Sequence, residues 1–131
     1  MISVLDISWL AGLLEGEGSF VLDHDVYPTI KLASTDLDVV KRARNIMLKS
    51  KRFYIERRVL YKDRYSLDII GNIAIQWMMT LYSLMGLRRK AKILEIINFW
   101  KNHHYPGSGH NRVGFAEVTY GPMRLTEAEE E

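Results

Sequence analysis

Apolar residues recur along this chain with two different periods, and the switches between them mark out the elements. Trp9, Leu10, Leu13 and Leu14 fall at helical spacing, behind Asp6 or Ser8 as a cap and ahead of Gly16 and Gly18 as a stop. Phe20 and Leu22 then alternate with other residues, so Ser19 to Asp23 reads as a short strand and His24-Asp25-Val26 as a turn. Tyr27 to Thr35 alternates again, with Ile30 and Leu32 on one face and Thr29, Lys31 and Ala33 on the other. Asp36 caps a second helix reaching Lys49 or Ser50, striped by Val39, Val40, Ala43, Ile46 and Met47. A third strand covers Phe53 to Tyr61, Lys62-Asp63-Arg64 turns the chain, and Tyr65, Leu67 and Ile69 mark a fourth strand. Gly71-Asn72 opens a third helix running to about Met85, Gly86 interrupts it, and Leu87 to Asn102 forms the fourth.

The order α-β-β-α-β-β-α-α predicts an α+β domain built on one antiparallel sheet, with helices on one face and the other face open. Two successive helix–hairpin units of similar length suggest internal pseudo-symmetry. The open face carries Thr29, Lys31, Tyr54, Glu56, Arg58, Lys62, Arg64, Ser66 and Asp68, polar and mixed in sign. The run Trp77, Met78, Met79 is expected in the core. A length of 131 residues suits one domain. We divide it into a folded part, 1–104, and a tail, 105–131, expected to be flexible because Pro106-Gly107-Ser108-Gly109 is linker-like and the last residues are acidic.

Composition narrows the class. There is no cysteine, which excludes a disulfide scaffold and a thiolate metal site. The longest apolar stretch, Ile73 to Leu87, is broken by Gln76, Thr80, Tyr82 and Ser83, too polar and too short to span a bilayer. The N-terminus has no basic segment of the kind that opens a signal peptide. The expectation is an intracellular, non-secreted protein with no membrane partner. His103-His104 and His110-Asn111 lie in a loop-like stretch without the framework of a histidine nuclease or metal site.

The net charge of +2 hides a strong asymmetry. Residues 1–40 hold seven acids against Lys31, whereas residues 41–64 hold ten Lys or Arg against Glu56 and Asp63. A local excess of cations inside a nearly neutral chain is the usual electrostatic footprint of a polyanion ligand, the alternative being a solvated helix face followed by a Lys-rich strand edge.

The segment Trp9 to Phe20, WLAGLLEGEGSF, concentrates the remaining signals. Ala11 and Gly12 interrupt a leucine-rich helix, and small residues let another backbone approach closely. The helix ends in Glu15-Gly16-Glu17-Gly18. Carboxylates there sit at the negative end of the helix dipole, where cations are preferred, which suggests a cation supplied from elsewhere; the other reading is exposed acids and glycines that merely cap. The two glycines leave that backbone free to take unusual dihedrals.

Leu10-Ala11-Gly12-Leu13-Leu14-Glu15-Gly16-Glu17-Gly18 resembles the motif of the LAGLIDADG homing endonucleases. Ser19-Phe20, Ser34-Thr35-Asp36 before a basic helix, and Leu84-Met85-Gly86 before Arg88-Arg89-Lys90 also resemble that family. The likeness spans about residues 5–102 and implies an αββαββα core with a four-stranded saddle sheet, extended here by a C-terminal helix. It further implies that motif helices of two domains pack together, and one copy of the motif implies a homodimer. Leu10, Ala11, Gly12, Leu13 and Leu14 would form that interface.

By the same resemblance, Glu17 would bind a divalent cation, expected to be Mg²⁺, with the main-chain carbonyl of Gly16, and Glu15 would be structural. Arg88, Arg89 or Lys90 would supply a basic group to catalysis, the alternative being a solvated first turn of the last helix. Asp36 or Thr35 would reach the hydrolytic water, although Asp36 is also explained as a cap. The nine open-face residues would contact double-stranded DNA. The implied activity is site-specific cleavage of both strands at a long pseudo-palindrome, leaving short 3′ overhangs, as in intron homing, with no small-molecule substrate. A non-cleaving RNA maturase or transcription regulator of the same fold is the alternative, since Glu17 stands where the family has Asp. An unrelated α+β dimer is the third reading.

Overall fold

A computed structural model describes residues 2–47 and 52–103. The chain runs α1 (Val4–Glu17), β1 (Gly18–Asp23), β2 (Tyr27–Ser34), α2 (Leu37–Met47), β3 (Arg52–Glu56), β4 (Arg64–Ile70), α3 (Asn72–Leu81), a single 3₁₀ turn (Tyr82–Leu84) and α4 (Leu87–His103). The element order is the one the periodicities predict. The tail from 105 onward, His104 and the end of the second helix lie outside the described residues.

Ser3, not Asp6 or Ser8, caps α1. Its hydroxyl accepts from the Asp6 N–H at 3.0 Å while the Asp6 carboxylate accepts from the Ser3 N–H at 3.2 Å. This reciprocal box satisfies two orphan donors where a lone Asp6 cap would satisfy one, so the helix starts a turn earlier. The turn Asp23–Val26 holds His24 and Asp25 at φ 53° and 65°, closed by the Val26 N–H on the Asp23 carbonyl at 3.1 Å. Two positive φ values give the mirror-image turn whose twist matches a hairpin.

All four strands are antiparallel in the order β1-β2-β4-β3. Each helix–hairpin unit contributes one inner and one outer strand, and the units join through β2 and β4. The register pairs Phe20 with Ile30, Ile30 with Ile69 and Leu32 with Leu67. Those side chains are buried under the helices together with Leu10 and Leu14 of α1, Val40 of α2, Met78 of α3 and Ile93 of α4. Each such aliphatic side chain contributes roughly 1.5–3 kcal/mol of burial. At the far end of α4, Trp100 Nε1 donates to Asn72 Oδ1 at 3.1 Å, tying the last helix to the start of α3.

Two sequence expectations fail for one reason, the reach of the core. The third strand stops at Glu56 rather than Tyr61. Arg57 pairs with Asp63 at 3.0 Å and Arg58 Nε donates to the Lys62 carbonyl at 3.0 Å, so residues 57–63 close as a loop. Val59, Leu60 and Tyr61 there are 99%, 83% and 69% exposed, because no layer covers them. Met79 likewise points to solvent while Met78 is fully buried.

Candidate nucleic-acid and metal site

Strand register sets the geography of the site. Gly18 pairs with Leu32 and Ser34 with Tyr65, so Glu17, the β2–α2 turn at Asp36 and the 57–63 loop share one end of the sheet. Across the sheet, two to three strand spacings put Glu17 and that loop roughly 10–14 Å apart. The acid of the motif and the loop that carries Arg57, Arg58 and Lys62 therefore lie at the same end of the sheet.

Seven of the nine residues expected on the open face lie there. Thr29, Lys31, Ser66, Asp68, Tyr54, Glu56 and Arg64 share the parity opposite to the core residues. Arg58 and Lys62 do not; they belong to the loop, because β3 is shorter than its apolar alternation suggests. The face is also less open than expected: Thr29, Ser66 and Asp68 are nearly fully buried. Lys31 Nζ lies 3.4 Å from Asp68 Oδ2 and 3.7 Å from Asp23 Oδ2, and Arg64 donates to Glu56 Oε1 from Nε at 2.9 Å and from Nη2 at 2.6 Å. Cross-strand pairing thus consumes much of its charge and orders its side chains. Asp23 belongs to this cluster and sequence reading missed it; its odd, three-residue offset from Phe20 along an alternating strand, which puts it on the face opposite the core, was the available signal.

On α1, Leu10, Ala11 and Leu14 are 0%, 5% and 0% exposed, so they cannot meet a second chain as expected: they serve the chain's own core. Leu13 is half-buried and Gly12 exposed. The outward surface is instead Val4, Leu5, Ser8, Gly12 and Gly16, and a Cβ at either glycine would meet nothing within 4 Å. A stripe of small residues at four-residue spacing leaves a flat helix side that another backbone can approach.

The cation demanded by the acidic helix end is Arg89, from the first turn of α4. Its Nε donates to the Glu15 carbonyl at 3.0 Å and lies 3.5 Å from Glu15 Oε2, and its Nη1 donates to the Gly18 carbonyl at 2.8 Å. The Glu15 carboxylate accepts from the Gly86 N–H at 2.9 Å. Glu15 and Arg89 are thus engaged with each other. Glu17 is exposed, and among the described residues its carboxylate has no hydrogen bond or ion pair. Arg88 is exposed too, lining a cleft of about 390 Å³ with Ser19, Val21 and Lys92. Asp36 occupies the N-cap position, its carbonyl accepting from the Val39 and Val40 N–H groups at 3.1 and 3.3 Å.

Among the described residues no group of three His, Cys, Asp or Glu side chains could hold a metal ion. Glu17 by itself offers hard oxygen at the negative end of a helix, a donor suited to a hard divalent cation but short of the six or more oxygens such ions take. It fits as part of a site, with other oxygens supplied by a second chain, a phosphate or water. No described helix is long and apolar enough to cross a membrane.

No protein-family model matches the sequence, and no curated protein sequence does. Solved structures do match. The chain aligns over 99% of its length with 98% of the homing endonuclease I-TnaI, at 15% identity and TM-score 0.53. It aligns over 95% of its length with 75% of the homing endonuclease I-CvuI, determined in complex with the I-CreI target, at 18% identity and TM-score 0.54. A third match, over 96% of this chain and 83% of the other, is the archaeal intron-encoded homing endonuclease I-Vdi141I complexed with DNA, at 12% identity and TM-score 0.53.

Proposed function

We infer that this chain, which has the fold of the LAGLIDADG homing endonucleases, is a homodimeric, Mg²⁺-dependent, site-specific DNA endonuclease. The observation that carries the reading is Glu17: an exposed carboxylate without a partner among the described residues, ending a helix whose outer side is small enough for a second copy to approach. That neighbours of the same fold are seen with DNA supports it. In the proposed dimer two α1 helices pack through Gly12 and Gly16, so that two Glu17 carboxylates converge.

The chain's own residues then divide the work. The Gly16 carbonyl and Glu17 would hold the cation, which when bound activates water and stabilises the leaving oxygen. Like charges brought together at Glu17 and its mate repel, so the pair is organised only with a cation present. Lys31, Tyr54, Arg64 and their neighbours read bases in the groove, Arg58 and Lys62 contact the backbone, and Arg88, exposed and without an ion pair among the described residues, is a cation available to the scissile phosphate. Asp36 stands exposed at the start of α2 with no hydrogen bond to its carboxylate among the described residues, and is the acid we assign to the hydrolytic water. A strand of eight residues spans roughly 26 Å, or about 8 base pairs, so two subunits cover a pseudo-palindrome of roughly 20. Two sites related by a twofold cut both strands and leave short 3′ overhangs.

Selection of cleavable duplexes from a randomised library, with and without Mg²⁺, tests this. Glu17→Gln keeps size and removes the charge; it is expected to abolish cleavage while leaving DNA affinity within a few-fold. Equal cutting by Glu17→Gln refutes the assignment. Tight Mg²⁺-independent binding by the parent with no cleavage at any site points instead to a non-cleaving nucleic-acid-binding protein.

A further inference from the structure

Arg89 stands beside the proposed cation site, and the ordinary role for an arginine there is to stabilise phosphate charge. Its geometry argues otherwise. The side chain is 12% exposed. Its Nε and Nη1 donate to the carbonyls of Glu15 and Gly18, at 3.0 and 2.8 Å, and the Glu15 carboxylate lies against it. The last turn of α1 has no basic residue of its own to answer its orphan carbonyls. The opening of α4 has orphan donors, and the Gly86 N–H just before it is answered by Glu15. Each helix end therefore satisfies the other, across 71 to 74 residues of sequence.

The two carbonyls that Arg89 holds belong to residues 15 and 18, and Gly16-Glu17 lies between them. Gly16 has no side chain to hold its backbone, and Glu17 has none of the described residues holding its carboxylate. We propose that Arg89 is a positioning residue: it fixes the two-residue segment that carries Glu17 and does not contact DNA. The idea rests on the cation-binding reading of Glu17 above. A planar fork with donors in fixed directions can span both carbonyls, whereas a lysine ammonium, a point charge on a flexible stem, cannot reproduce both bonds in place. The charge of residue 89 is therefore not enough; its shape is required.

Arg89→Lys separates the two roles. Positioning predicts that the Mn²⁺ needed for half-saturation of the DNA complex, followed by electron paramagnetic resonance, rises about tenfold, and that the Mg²⁺ requirement for cleavage rises with it. It also predicts faster amide hydrogen exchange at residues 16–19 of the metal-free protein, with metal-free DNA affinity and its salt slope unchanged. Arg89→Gln, which has one amide head in place of the fork and cannot span both carbonyls, serves where Arg89→Lys folds poorly and should shift Mn²⁺ affinity in the same direction, whereas Glu15→Gln keeps both carbonyls and should shift it less. A phosphate contact predicts the reverse for Arg89→Ala: weaker metal-free DNA binding and a salt slope smaller by about one, with Mn²⁺ affinity untouched; that result overturns the positioning role and leaves the endonuclease reading intact. A parent protein that binds DNA but takes up no Mn²⁺ and cuts nothing overturns both.

Discussion

A methyl group added to Gly18 would lie 2.6 Å from Leu14 Cδ2 and 3.0 Å from Leu14 Cα. Yet Gly18 has φ −92° and ψ 170°, extended backbone open to any residue. The glycine that closes the motif is there for space, and the expectation of unusual dihedrals at this helix end does not hold at Gly18. Gly18→Ala must push the chain against a backbone atom of a fully buried residue, so it should lower the unfolding free energy by about 1–3 kcal/mol, measured by denaturant titration. An unchanged midpoint with an unchanged denaturant slope would mean α1 slides to make room. Gly86 shows the same logic more gently: a Cβ there would come within 3.1 Å of Glu15 Oε2, the end of a flexible side chain, so the cost falls on the Glu15–Gly86 contact.

Helix α1 is apolar nearly all round, which is why its sequence alone does not tell which side faces the core. Leu10 and Leu14 face the sheet, and the opposite side presents Leu5, Ser8, Gly12 and Gly16. Gly12 makes the assignment of that side testable. A side chain there meets nothing within the chain, and Gly to Ala inside a helix is worth about 1 kcal/mol of propensity. Gly12→Ala should therefore stabilise an isolated chain, while Gly12→Leu should dissociate the proposed dimer by holding the two helices apart. Denaturant titration reads the first and sedimentation at fixed concentration the second; a Gly12→Leu protein that stays dimeric moves the interface off α1.

The molecule as a whole places its charge unevenly. Among the described residues the basic block divides between α2, on the helical layer, Arg52 at the start of β3, and the 57–63 loop with Arg64 of β4, on the sheet end near Glu17. Arg42 and Arg44 of α2 are stacked on Trp9 and Phe53, at 4.1 and 4.8 Å from the ring centroids, so part of the block is structural. DNA affinity should fall steeply with salt, by a slope of about −0.9 per phosphate neutralised. Lys62→Ala, an exposed cation with no ion pair among the described residues, should reduce that slope by about one and weaken all sequences alike. Arg64→Ala should instead relax base preference, because Glu56 holds its guanidinium in one orientation over the sheet. A selection profile that Arg64→Ala leaves unchanged would remove β4 from base readout.

Periodicity carried most of the architecture. Alternation and helical stripes are local consequences of where a backbone points its side chains, so the element order, the single antiparallel sheet and the parity of its polar face were legible in the linear chain. The Glu15-Gly16-Glu17-Gly18 end was legible as chemistry too, since two acids at the wrong end of a dipole are favoured by a nearby cation. What no local rule supplies is which cation, and how far the core extends. Only folding brought Arg89 across more than 70 residues onto Glu15 and Gly18, put Leu10, Ala11 and Leu14 inside rather than at an interface, and left Val59 to Tyr61 beyond the last covering layer. Burial and long-range pairing are properties of the packed layers, and two residues distant in sequence share neither until those layers close.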